Sequence, residues 1–215
     1  MSLNPKQLKT DYPQLHEIIA VSKTFSLEDI QAIMALGYTH FGENKAQELM
    51  EKAKANLPVT WHFIGHLQTN KVKDVVNVAQ WIHSVDSVKL LEEIEKQASK
   101  LNKIIQILIQ VNLTHEQTKS GCLESELDGL IQASHQCPHL VCKGLMIIGP
   151  TAAQDFEIDA VFKQAFQLKQ KVERIYPHMT ELSMGMSHDY LIALKNGATL
   201  LRIGSLIFGN RQKNG

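Results

Sequence analysis

The chain has 215 residues, 44% hydrophobic and 20% charged, which is enough apolar material for a sizeable core and excludes a disordered chain. Lys plus Arg and Asp plus Glu are each 22, so the formal net charge is zero; no basic surface is expected to attract nucleic acid or an acidic membrane. No apolar run approaches the ~18 residues of a membrane span, residues 1–13 lack the apolar core of a secretory leader, and three cysteines without close pairing, at 122, 137 and 142, suit a reducing, cytoplasmic setting.

Along the chain, short β-branched runs alternate with longer stretches of helical period. Residues 18–22 form the first predicted strand. Ser26 with Asp29 three residues on predicts a capping box, and Leu27, Ile30, Ile33 and Met34 give its helix an apolar stripe. Residues 38–42 are the second strand, followed by a helix marked by Ala46, Leu49, Met50 and Ala53. Residues 61–64 are the third, with Val72, Val75, Val76 and Ala79 on the next helix. The fourth covers 81–85, before a helix carrying Leu90, Leu91, Ile94, Ala98 and Leu101. The fifth, 104–111, is nearly all apolar, as expected of a strand covered on both faces. A helix through Leu123, Leu127, Leu130 and Ile131 leads to the sixth, 141–148, and a long helix from Ile158 to Ile175 to the seventh, 181–184. A short helix over 190–195 and an eighth strand over 199–203 complete the pattern. Eight strands alternating with helices predict an α/β fold, one (β/α)8 barrel occupying residues 1–215; a doubly wound open sheet is the alternative.

Barrel enzymes and binding proteins work at the C-terminal ends of their strands. Lys23 directly follows the first strand. A lysine kept from water has a lowered pKa and can form a Schiff base with a carbonyl; a solvated strand-end lysine is the competing reading. Ser183–Ser187, with Met184, Gly185 and Met186 between, and Arg202-Ile203-Gly204-Ser205 each set glycine beside serine after the last two strands. Glycine lets backbone N–H groups approach a phosphate and serine adds a hydroxyl, and these are the loops where barrels most often bind phosphate. His62 and His66 have the spacing of a helical zinc pair but straddle a strand-to-loop junction, so no metal site is expected. No Ser–His–Asp set can be assembled from spacing.

Seven blocks in order carry a family resemblance: Ala20-Val-Ser-Lys-Thr24, Phe41-Gly-Glu-Asn44, Trp61 through Gln68 with Asn70-Lys71, Lys119-Ser-Gly121, Gly144-Leu-Met146, Leu182 through Ser187, and Arg202 through Gly209. They resemble the pyridoxal phosphate homeostasis protein family, the PLP-binding barrel proteins. The resemblance implies a barrel like the N-terminal domain of alanine racemase, with pyridoxal 5′-phosphate (PLP) held as an internal aldimine on the lysine of the A-V-S-K block, here Lys23. It assigns the phosphate to the last two loops, here Ser187, Gly204 and Ser205, with Met186 and Ser183 in the same segment. It brings Arg202 to the pyridine nitrogen, and Asn44 and His62 to the same mouth. An arginine there disfavours ring protonation and weakens the ring as an electron sink.

What the resemblance implies about function is a PLP carrier in vitamin B6 homeostasis without catalysis of its own, monomeric and cytoplasmic, passing PLP to apo-enzymes. The alternative is a PLP-dependent racemase or lyase. A racemase of this type carries a β-rich second domain that brings a tyrosine base; here the eight strands use the chain by residue 203, and no complementary acid–base partner is expected. A third reading is a cofactor-free Schiff-base aldolase. Transfer would need a second amine, for which Lys119 is the candidate, against a solvated loop lysine. Family members have an additional helix before the first strand. Here 17 residues precede Ile18 and Pro5 and Pro13 limit any helix to 6–12, so the packing near the first and eighth strands is expected to be thinner.

Overall fold

The computed structural model describes residues 3–114, 116 and 118–209. Eight parallel strands close on themselves in sequence order: β1 (Glu17–Val21), β2 (His40–Glu43), β3 (Thr60–Phe63), β4 (Trp81–Val85), β5 (Ile105–Gln110), β6 (Leu140–Met146), β7 (Glu181–Ser183) and β8 (Leu200–Ile203). Pairing of Ile18 with Leu201 and of Ala20 with Ile203 joins the first strand to the last. The closed barrel excludes the open-sheet alternative.

A helix α1 (Pro5–Asp11) precedes β1. After the strands come α2 (Leu27–Ala35), α3 (Ala46–Ala53), α4 (Val72–Val78), α5 (Val88–Lys100), α6 (Leu127–Ser134), α7 (Asp155–Ile175), α8 (Tyr190–Lys195) and α9 (Ser205–Phe208). The predicted capping box is present: Ser26 Oγ accepts from Asp29 N, and Asp29 accepts from Ser26 N.

Side chains alternate across each strand. One set, including Ile18, Ala20, Phe41, Phe63, Ile82, Ile107, Ile109, Leu145 and Leu201, joins the helices in one continuous core. Ile19, Leu108, Met146 and Leu200 form a separate small cluster, which is the filling of the barrel interior.

Several boundaries differ from the sequence reading, each for a local reason. Ile104 is 54% exposed and stands outside β5. Val111 makes only an isolated bridge to Cys122. Tyr38 precedes β2, buried with its hydroxyl donating to Leu3 O at 2.8 Å. The first helix starts at Pro5, not after it. Proline is tolerated at N1, where its missing N–H has no helical partner, and Asn4 caps Lys6 and Gln7 N. This segment is also better anchored than expected. Leu3, Leu8 and Tyr12 pack on the core, and His16 N donates to Thr199 O of the β7–β8 connection at 2.8 Å. At the other end of the barrel Phe25 stacks on Phe208 at 4.6 Å. The three cysteines are free and buried. No helix among the described residues is long and apolar enough to cross a membrane.

Candidate functional site

The C-terminal ends of the strands surround a cavity of about 800 Å³. Lys23, half-buried on one wall, sits on a turn fixed from behind. The Lys52 ammonium of α3 donates to Ser22 O at 2.7 Å, to Glu43 Oε1 at 2.7 Å and to Glu48 Oε1 at 2.8 Å. Ser22 Oγ donates to the same Glu43 oxygen at 2.6 Å, and Thr24 N donates to Glu48 Oε1. Glu43 is fully buried. Burial raises its carboxyl pKa, and the bonds from Lys52 and Ser22 pull it back. A salt-bridged network on the helix side of β2 thus holds both residues flanking Lys23. Asn44, next along β2, lines the cavity and meets Gly65 backbone to backbone; a Cβ on Gly65 would lie 2.2 Å from Asn44 O.

The last two loops are joined across the opposite wall. Gly204 N donates to Ser187 Oγ at 3.2 Å, and Arg202 N to Gly185 O at 3.0 Å. Gly185 has φ +91°, and a Cβ there would press on Ala193 at 2.6 Å, so glycine is required on both counts. Buried Asp189 accepts from Met186 N at 2.6 Å and holds the turn. Met186, Ser187, Gly204 and Ser205 all reach the cavity, and the short helix α9 starts at Ser205.

Arg202 forms part of the lining from β8. Its Nη1 donates to Ser183 Oγ at 2.7 Å and its Nη2 to Ile147 O at 3.0 Å. Burial pushes its pKa down to about 10, so it stays cationic at neutral pH.

Seven of the nine residues singled out in the sequence therefore meet at one cavity: Lys23, Asn44, Met186, Ser187, Arg202, Gly204 and Ser205. His62 and Ser183 do not. Both are buried inside the barrel, His62 at 1% and Ser183 at 0% exposure. On β3 the next residue with the parity of His62 is Ile64, and it is Ile64 that lines the cavity. Ser183 lies behind Arg202, bonded to it. Conversely, Gln110 reaches the cavity and donates to Ser120 O at 2.7 Å, while Ser120 Oγ lies 3.1 Å from His66 Nδ1. The available signal for Gln110 was a polar residue ending an otherwise apolar strand. Lys119 is not a solvated loop lysine. Its side chain is 13% exposed and its ammonium is held by Glu116 Oε1 at 2.6 Å and Gly149 O at 2.7 Å.

Desolvation and neighbouring charge push His62 and His83 well below the ordinary histidine pKa. Both stay neutral in the folded protein, whereas in the unfolded chain they protonate near about 6.5. Below that pH the unfolded state binds more protons, so stability falls as pH falls. The slope is at most that of two protons, about 3 kcal/mol per pH unit; the raised Glu43 opposes with one proton at most. Urea unfolding at pH 7, 6 and 5 is expected to show the midpoint dropping across this interval, and a flat profile contradicts the burial of two neutral imidazoles.

A family model described as the alanine racemase N-terminal domain matches residues 1–212. A pyridoxal phosphate homeostasis protein of Aquifex aeolicus is 39% identical over 202 residues, covering 91% of this chain and 87% of that one. One from Helicobacter pylori is 39% identical over 209 residues, covering 94% and 92%. Among solved structures, PipY of Synechococcus elongatus without PLP superposes with a TM-score of 0.89 at 36% identity, and the same protein with PLP bound with 0.86 at 35%; each match covers 95% of this chain and 97% of that one.

Proposed function

The chain belongs to the pyridoxal phosphate homeostasis protein family, and on that premise we propose that it binds PLP covalently at Lys23 and serves intracellular vitamin B6 homeostasis, supplying PLP-dependent apo-enzymes. The observation that carries this reading is the convergence on one cavity of an amine from the end of β1, a guanidinium from β8 and the serine–glycine loops after β7 and β8. A volume of about 800 Å³ lies within the ordinary range for small-ligand sites.

The residues fit the group. Lys23 supplies the amine for the cofactor's aldehyde, with its backbone clamped on both sides by the Lys52–Glu43–Glu48 network. Ser187 and Ser205 supply neutral hydroxyl donors for a phosphate, which a chain of zero net charge must find locally, and Gly204, bonded to Ser187, leaves room for its close approach. Arg202 would supply a fixed cation for the ring nitrogen; a positive neighbour disfavours protonation of that nitrogen, which would set two positive charges side by side. When bound, PLP contributes an electrophilic aldehyde and an electron-withdrawing ring, and the arginine tempers the second of these. Lys119 is engaged by Glu116 and by Gly149 O and is not presented to the cavity as a free amine. A role in releasing the cofactor would require the pair to open first.

Protein mixed with PLP is expected to develop the near-visible absorbance of a lysine-linked pyridoxal. Borohydride should bleach it and leave a reduced adduct on the peptide containing Lys23. No band, or a label confined to another lysine, overturns the reading.

A further inference from the structure

Six strands contribute to a polar file through the barrel interior, hydrogen-bonded from β8 to β2 and closed onto β1 by an electrostatic contact. From the cavity inward, Arg202 Nη1 lies 2.7 Å from Ser183 Oγ, and Ser183 Oγ lies 3.1 Å from His83 Nδ1. His83 Nε2 lies 2.8 Å from His62 Nδ1, and His62 Nε2 lies 2.8 Å from His40 Nδ1. His40 Nε2 ends the file 3.6 Å from Glu17 Oε2, at the N-terminal end of β1 and so on the face opposite the mouth.

The two ends dictate the direction of every bond between them. Guanidinium only donates and carboxylate only accepts. Ser183 Oγ accepts from Arg202, so its own hydrogen goes to His83 Nδ1. His83 then donates from Nε2 to His62, and His62 from Nε2 to His40. His40 in turn presents an Nε2–H to Glu17. The opposite order would leave the Ser183 hydrogen without an acceptor among the described residues and aim the His40 lone pair at a carboxylate. Each neutral imidazole has one donor and one acceptor, so a single set of tautomers satisfies all three rings.

We propose that His40, His62 and His83 are positioning residues for Arg202, forming a one-way relay of neutral Nε2–H rings that ties the guanidinium at the mouth to the carboxylate of Glu17 on the opposite face. Two guanidinium nitrogens are committed, one to Ser183 and one to Ile147 O, which fixes how the group meets the cavity. The charged groups bearing on the file are few. Lys9 Nζ pairs with Glu17 at 2.8 Å, and Asp189 attracts Arg202. Trp81 stacks on His62 with 5.5 Å between ring centroids and adds no charge. Burial of His62 and His83 keeps the interior rings uncharged.

The part of this inference that concerns the cofactor rests on the function proposed above; the tautomers do not. The full chain, with ¹⁵N-labelled histidine and no PLP, is read by long-range proton–nitrogen correlation at pH 7. Three neutral rings protonated at Nε2 support the relay. An Nδ1–H ring or a cationic ring among the three overturns it. Glu17→Gln then removes the terminal charge without touching the cavity, and His40→Gln serves if that variant does not fold. The expected result is a shift of the His83 nitrogens, beyond the site of substitution, together with about a fivefold change in PLP affinity, the lower end of ordinary coupling between sites. His83 resonances and PLP affinity both unchanged overturn the coupling. If the unaltered protein fails to bind PLP, the proposed function falls, and the nitrogen spectra alone decide the relay.

Discussion

Lys23→Ala protein is expected to lose the near-visible band completely while remaining folded. The substitution removes the only atom proposed to bond the cofactor covalently, and it touches no part of the Lys52 network, which acts on the backbone and side chains of Ser22, Glu43 and Glu48 and on the backbone of Thr24. Ser187, Gly204, Ser205 and Arg202 are unaltered, so a weaker, reversible association of PLP should survive and show as quenching of intrinsic fluorescence without the band. Near- and far-ultraviolet circular dichroism should match the parent. A band of parental intensity in Lys23→Ala would move the covalent site to another lysine. Of the two lysines that the structure ties close to this region, Lys52 is engaged with Glu43 and Glu48, and Lys119 with Glu116.

Lys52→Met is expected to be the most destabilising conservative-volume change near the site. Lys52 is 6% exposed and Glu43 is fully buried. Breaking a buried pair by deleting one partner costs about 3–5 kcal/mol, because the other charge stays desolvated. Ser22 O loses its donor at the same time. Glu43 would relieve part of the cost by taking up a proton, its pKa rising further above the ordinary carboxylate value. A carboxyl raised in the folded state stabilises that state at low pH and loses the contribution as pH rises through the folded pKa. The loss relative to the parent should therefore be largest at neutral and alkaline pH and shrink in acid, opposite in sign to the histidine effect that both proteins share. Urea titrations at two pH values separate the two. Lys52→Met combined with Glu43→Leu removes both charges and should recover a large part of the loss. If the single variant unfolds within about 1 kcal/mol of the parent, the network is a surface pair in energetic terms and does not hold the Lys23 turn.

The period of the chain was enough to reach eight strands alternating with helices, in a barrel or an open sheet. Runs such as Ile105–Gln110 and Leu200–Ile203 are strands buried on both faces, and each is separated from the next by a stretch of helical period. Their ends were less legible, because the last residues of a strand are set by neighbours and not by their own propensity. Ile104 looks like strand and is exposed; Pro5 looks like a helix stop and is a helix start. The site divides along the same line. Lys23, Asn44, Ser187, Arg202, Gly204 and Ser205 are polar or glycine residues in or next to the ends of strands, and a barrel brings such residues to one mouth whatever its details. His62 and Ser183 shared motifs with them but sit deeper, because parity along a strand says which way a side chain points and not how far below the mouth it lies. Gln110 shows the converse: in sequence it is a polar residue in a nearly apolar strand, and only its place at the strand's end brings it to the cavity.

The sequence by itself determined the alternation of eight strands with helices, the lysine and the glycine–serine loops, since all of these follow from local pattern and from position relative to strand ends; closure of the sheet came from the pairing of β1 with β8. Only the tertiary structure decided what stands behind them. Lys52 supports Lys23 from 29 positions away in the chain, and the file from Arg202 to Glu17 is assembled from β1, β2, β3, β4, β7 and β8. Each histidine in that file could be a core residue, a ligand or a solvated side chain when read alone. Burial sets its neutrality, a donor-only group at one end and an acceptor-only group at the other set its proposed tautomer and role, and closing the barrel is what brings the two into one line.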